Sequence, residues 1–214
     1  MDHYKYWLIN QLDLIGDIIN TILHLEWSDK ITCQKYLKCL FPDHNVYHYV
    51  LKYLASILTD DFHGLMLVFH GEHDICNLIH ATFDHESIKI GNDMRILYYI
   101  KNKKVIIHHT EYVPVDERVI KKFTSHDLFH SRQLHECGEY IIPTFKFIGS
   151  TDQKELFDSC SETTKKRIQF IPCVDIDIDI DDDDLKKLSS AFLWLLELYL
   201  PIYLKEGLIV PDKL

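Results

Sequence analysis

Glycine and proline are scarce in this chain of 214 residues, with seven and six. No Gly/Ser or Pro-rich stretch marks a flexible linker, and no internal repeat is visible, which excludes a solenoid or a bead-string of modules. The six cysteines form no CxxC pair and no regular spacing. That argues against a paired-cysteine zinc site and a disulfide scaffold, and for reduced thiols. The first residues, "MDHYKYWLINQL", have no basic segment followed by an apolar one, so a secretion signal is not expected. No uninterrupted apolar run approaches a membrane span. Together these absences predict an intracellular protein with no membrane partner. An excess of positive charge is also missing. The formal net charge is −10, which argues against a surface built wholly for DNA.

The acidity is concentrated. "VDIDIDIDDDDL" holds Asp175, Asp177, Asp179 and Asp181 to Asp184, and setting those seven aside leaves −3. The remainder can carry a local basic patch. The tract itself reads as a solvated connector over 174–184. It lacks the glycine turn and closing Glu of an EF-hand calcium loop. The whole chain is 47% hydrophobic, enough for a substantial core.

Apolar periodicity supplies the elements. Leu8, Leu12, Ile15, Ile19, Ile22 and Leu23 predict an amphipathic helix over 7–25. A short helix is expected around Gln34–Cys39. "FPDHN" then breaks the pattern, with Asp43 and Asn45 as candidate caps. Val46, Tyr49, Val50, Tyr53, Leu54, Ile57 and Leu58 make one continuous stripe of a helix over 46–58. After Gly64 the texture changes. "LMLVF" (65–69) and "KKVIIHH" (103–109) read as strands buried on both faces, and "TFKFIG" (144–149) and "RIQFIP" (167–172) as two further strands with more alternation. Helices are expected at 75–83 and 117–124, and beyond the acidic tract from Leu188 to Tyr203. Strands alternating with helices predict an α/β unit with a mostly parallel sheet, three layers deep. The expected organisation is an N-terminal helical segment (1–62), an α/β core (63–173), the acidic connector (174–184) and a C-terminal helical segment (185–214).

"VFHGEHDICNLIHATF" has the layout of a phosphate-binding loop, strand–GxxxxGK[ST]–helix, with Gly71 at the first glycine. The other places are filled wrongly for nucleotide. Cys76 stands for the second glycine, Asn77 for the lysine that faces the terminal phosphate, and Leu78 for the hydroxyl that holds Mg²⁺. Glu72 and Asp74 add negative charge where phosphates lie. Taken alone, the stretch also fits an ordinary strand–turn–helix. His126, His130, His135 and Cys137 raise a zinc cluster, His at i and i+4 sharing a helix face, but no paired cysteines complete it.

The order of several segments resembles the superfamily 3 helicase domain of the primase-helicases of large DNA viruses. "FPDHNVYHYVLKYLASILTDDF" is similar to the helix before its ATPase core. "KKFTSHDLFHSRQLHECGEYIIPTFKFIGSTD" is similar to its middle, "TTKKRIQFIPC" to its arginine-bearing segment, and "AFLWLLELYLPIYLKEGLIVP" to its closing helix. The resemblance covers roughly 40–214. It implies a P-loop core of the AAA+ type, hexameric ring assembly and DNA passing through a central channel. It leaves no stretch upstream of residue 40 long enough for the primase part. It also implies roles residue by residue. Glu111 is the nearest match to the acid motif, Asp152 to the sensor, and Arg167, beside Lys166, to the arginine that acts on a neighbouring subunit. Between the 117–124 helix and the 144–149 strand the family places a channel-facing hairpin, around which lie Lys121, Lys122, Arg132 and Lys146. These residues equally fit a solvated helix face. The expectation is a helicase-like domain with a decayed ATP site, needing no cofactor and binding DNA, copies of itself or active helicase subunits. An active ATPase using ATP and Mg²⁺ in an atypical pocket, and a purely structural or interaction protein, are the alternatives.

Overall fold

The computed structural model describes residues 27–71, 74–90, 100, 102–109, 116–131, 139–176, 182–212 and 214. The helix expected at 7–25 lies outside them. The first described helix, α1 (Trp27–Leu40), is longer than the segment the sequence suggests. Its first turns carry too few apolar residues to show a stripe. Thr32 Oγ1 bonds back to Ser28 O at 2.9 Å there. Helix α2 (His44–Ala55) starts where Asp43 predicts: its carboxylate accepts from the backbone N–H groups of Asn45 and Val46. The chain then tightens into a 3₁₀ turn, Ser56–Leu58.

Five parallel strands follow, all in one sheet: β1 (Met66–His70), β2 (Ser87–Ile90), β3 (Val105–His109), β6 (Lys146–Thr151) and β7 (Ile168–Pro172). Their order across the sheet is β2-β3-β6-β1-β7. Strand β1 pairs in parallel with β6 and with β7. Helix α3 (Ile75–Phe83) connects β1 to β2 at the far edge. Helix α4 (Glu117–Phe123) and a separate antiparallel hairpin, β4 (Phe129–Ser131) with β5 (Glu139–Ile141), lie between β3 and β6. A short helix α5 (Glu162–Lys165) precedes β7, and helix α6 (Asp182–Glu206) closes the chain. The α/β architecture with helices at both ends is therefore as the sequence predicts. Strand β2, "SIKI", went unread because four residues at an edge give no period to follow.

Side chains alternate across the sheet, as strand geometry requires. Leu67, Phe69, Val105, Ile107, Ile148 and Ile171 face one core, shared with α1, α2, α3 and α6. Met66, Val68, Ile106 and Phe147 face the other, with Val119, Ile120, Phe123 and Phe129 from α4 and the hairpin. This makes three layers. Lys146 falls on the first face, between the two phenylalanines that face the second, and is 2% exposed. It is therefore placed otherwise than the sequence suggested. Its ammonium donates to Asp61 O, and burial lowers its pKa to about 8 against the pull of Asp61 and Asp60. Nearby, burial takes His63 down to about 4, with its Nε2 2.7 Å from Ser56 Oγ.

Helix α6 is long and apolar enough, by length and composition, to cross a bilayer. Its polar residues are interspersed, so no single run reveals this. Its apolar face is nevertheless used: Leu188, Ala191, Phe192, Leu195, Leu196, Tyr199 and Tyr203 are buried, packed on α1, α2 and α3. The helix begins at Asp182, so the last three aspartates of the acidic tract form its first turn. The carboxylates of Asp183 and Asp184 in that turn complement the helix dipole.

Candidate nucleotide loop and hairpin

Strand β1 ends at a point where the connections diverge. Its own crossover leads past β6 and β3 to β2, whereas that of β6 leads past β1 to β7. In an open parallel sheet the crevice outside the carboxyl ends at such a point is where ligands bind. Gly71 sits at its mouth, with φ +131°.

Backbone hydrogen bonds hold the residues after β7 beside this point. Gly71 N–H donates to Thr151 O at 3.2 Å, Cys173 N–H to His70 O at 2.9 Å, and Val174 N–H to Leu40 O at 3.0 Å. The acidic tract thus opens beside Gly71. A Cβ added at Gly71 would lie 3.0 Å from Asp175 Oδ1 and 3.0 Å from Cys173 O. The Asp175 carboxylate thus lies close to Gly71, and its negative charge opposes a phosphate at this point.

Helix α3 starts at Ile75, one residue before the position of the missing second glycine. Ile75, Cys76 and Leu78 are buried in the first core. Leu78 therefore does not replace a metal ligand at the surface of the loop; its side chain belongs to the hydrophobic interior. Burial pushes the Cys76 thiol up to about 12, against a bond with Ser150 and the charge of Lys89. It stays a protonated, unreactive thiol at neutral pH. Asn77 is tied on both sides. Its Nδ2 donates to Asp74 Oδ1 at 2.8 Å, and its Oδ1 accepts from Lys89 Nζ at 2.8 Å. Sequence reasoning missed Lys89, because it reaches the loop from β2. A cation thus stands beside the position that lost its lysine.

Arg167 is far from this loop. It precedes β7, whose first residue pairs with Met66 at the amino end of β1. Its guanidinium donates to Lys121 O at 3.4 Å and to Thr124 O and Oγ1 at 3.3 Å. It thereby satisfies carbonyls left open at the end of α4. Asp152 is exposed and follows β6 directly, on the same edge as Gly71. Glu72, Glu111, Arg132, His135 and Cys137 lie outside the described residues.

The hairpin expected between α4 and β6 is present as β4–β5. Lys121 pairs with Glu117 at 2.7 Å. Lys121, with the hydroxyls of Ser161 and Thr164, takes the Glu117 carboxyl down to about 2. Lys122 Nζ stands 4.9 Å from the centre of the Phe129 ring. Leu128, Tyr140 and Ile142 are exposed around the hairpin, with Tyr140 at 70%. Among the described residues around the hairpin are thus Lys121 and Lys122, the exposed Tyr140 ring and the exposed apolar side chains of Leu128 and Ile142.

No family model and no curated protein matches the chain. Solved structures do. The A form apo structure of the NrS-1 C-terminal region (305–718) has a TM-score of 0.60 and 17% identity, covering 77% of this chain and 43% of that one. A second A form apo structure of the NrS-1 C-terminal region has a TM-score of 0.60 at 14% identity, covering 85% and 46%. A third, also apo, has a TM-score of 0.61 at 14% identity, covering 77% and 44%. The chain spans less than half the length of the structures it matches. At these identities the likeness is one of fold: the chain is built like part of the NrS-1 C-terminal region.

Proposed function

We propose that this chain is a helicase-like domain of a viral DNA-replication protein that has given up ATP chemistry and acts by binding, through the α4–hairpin face to DNA or beside active helicase subunits. The observation that carries the reading is the close approach of Asp175 to Gly71. A carboxylate close to Gly71 opposes a phosphate there, and a following helix that buries Leu78 offers no hydroxyl for Mg²⁺; both support the loss of nucleotide binding. The internal tie of Arg167 to α4 supports it further, since that guanidinium already serves this fold. The segment order supports a helicase-like ancestry, and the fold shared with the NrS-1 C-terminal region supports a viral replication-related domain.

A second reading, an ATPase with an atypical pocket, is favoured by Lys89, whose ammonium stands at Asn77. It has Asp74 and Asp175 against it, both beside the same loop.

The DNA half of the proposal is tested by titrating labelled single- and double-stranded oligonucleotides across salt concentrations. Each phosphate contact contributes about −0.7 to −0.9 to the slope of log K against log salt. Replacing Lys121, Lys122 and Arg132 together by Ala should weaken both DNAs alike and flatten the slope by about two units. Wild-type protein without DNA affinity at low salt would overturn this half, and leave protein–protein interaction as the role.

A further inference from the structure

Helix α2 opens on "HNVYH", which places His44 and His48 one turn apart on the same face. Their Nε2 atoms face each other at 3.0 Å, with the ring centroids 4.2 Å apart. On the far side of the His48 ring, Nδ1 lies 2.9 Å from the hydroxyl of Tyr199, which comes from α6. Two clefts meet at the pair. One, of about 380 Å³, runs between α1, α2 and α6 past Gln34, Lys38 and Tyr47. The other, of about 220 Å³, is bounded by Asn45, Lys52 and Ile209.

We infer that His44 and His48 form a binding site for a divalent transition-metal ion of the zinc type, held between their two Nε2 atoms. Bonds of about 2.0–2.1 Å to a tetrahedral zinc set two imidazole nitrogens about 3.3 Å apart. The observed 3.0 Å needs only a small opening of the two side chains. Imidazole nitrogen is a ligand that suits zinc, copper and nickel and discriminates against magnesium and calcium. The metal takes the lone pairs of both Nε2 atoms, so the His48 proton resides on Nδ1 and is donated to the Tyr199 oxygen. That outer hydrogen bond fixes the ring and its tautomer, as the partners of metal-bound histidines do. No group of three His, Cys, Asp or Glu side chains suited to a metal occurs among the described residues. With two imidazole ligands from the described residues, the site is sparser than a three-ligand catalytic zinc site, and water fills the positions these two side chains leave.

The chain has fourteen histidines, so the test must separate this pair from the others. Zn²⁺ is titrated calorimetrically into wild type, His44→Ala, Tyr199→Phe and His126→Ala, with Mg²⁺ as the inert cation. His44 is exposed, so its replacement leaves the fold intact, which circular dichroism verifies. One equivalent of zinc should disappear in His44→Ala and persist in His126→Ala, whose ring instead stacks near Phe62. Tyr199→Phe should weaken the same equivalent by about 10- to 100-fold. An isotherm for His44→Ala identical to that of wild type would overturn the site.

Discussion

Replacing Gly71 by Val should destabilise the fold by about 2–6 kcal/mol. Two costs add. A non-glycine residue held at a φ of +131° carries backbone strain of about 1–3 kcal/mol. The new side chain also meets Cys173 O and Asp175 Oδ1 at 3.0 Å from its Cβ, and crowding of that kind costs about 1–3 kcal/mol. The carbonyl cannot move far, because the Cys173 and Val174 amides are tied to His70 and Leu40. A urea titration reads the loss as a lower midpoint at unchanged slope. Asp175→Ala in the Gly71→Val background should return part of it, since only one of the two close atoms is removed. A variant as stable as wild type would show that the acidic segment does not lie beside Gly71.

Phe123→Ala should cost about 3–5 kcal/mol. Phe123 is 2% exposed and meets Phe145 and Phe147 edge to face, with centroids 5.2 and 5.1 Å away. Each such pair adds about 0.5–1.5 kcal/mol beyond burial. The ring is also what seats α4 on the sheet. Its loss should therefore loosen Lys121 and Lys122 and weaken DNA binding beyond what the stability change alone produces. Thermal unfolding and the oligonucleotide titration, run on the same preparation, check both parts. A loss under about 1 kcal/mol would mean that the second core does not depend on this aromatic cluster.

The parts of the fold that the sequence made legible share one property: their signal is local. The α2 stripe from Val46 to Leu54, the Asp43 cap and the apolar runs of β1 and β3 are each decided within a few residues. What escaped depends on distant partners. Strand β2 exists because β3 offers it an edge, with Ser87 opposite Val105. Lys146 is buried because a central parallel strand is covered on both faces, a consequence of topology that "TFKFIG" alone does not display.

The candidate site divides the same way. The faults of the loop at Cys76, Asn77 and Leu78 are visible in the sequence, whereas the occupants of the site are not. Asp175 is counted there as one charge of a solvated connector, far along the chain from Gly71, and Lys89 belongs to a strand that gives no signal. The geometry also changes what a repair could achieve. Restoring the loop by Cys76→Gly, Asn77→Lys and Leu78→Ser puts a hydroxyl in place of a fully buried leucine. That substitution opens a cavity in the first core and should cost about 2–5 kcal/mol before any nucleotide arrives.

The central claim is that the loop at 71–78 does not hold nucleotide, and calorimetric titration of ATP–Mg²⁺ into wild-type protein, paired with thermal unfolding in millimolar ATP–Mg²⁺, tests it most directly. Each charge-assisted hydrogen bond that a working loop makes to the nucleotide is worth about 1.5–3 kcal/mol. Without two of them, a micromolar site weakens by about two to four orders of magnitude, towards or beyond millimolar. A ligand stabilises its protein by about 2.7 kcal/mol only when present at a hundred times its Kd. The expected result is therefore no saturable heat and an unchanged Tm. A saturable, Mg²⁺-dependent rise in Tm that vanishes in Lys89→Ala would contradict the claim, and would show that the lysine of β2 has replaced the one missing at Asn77.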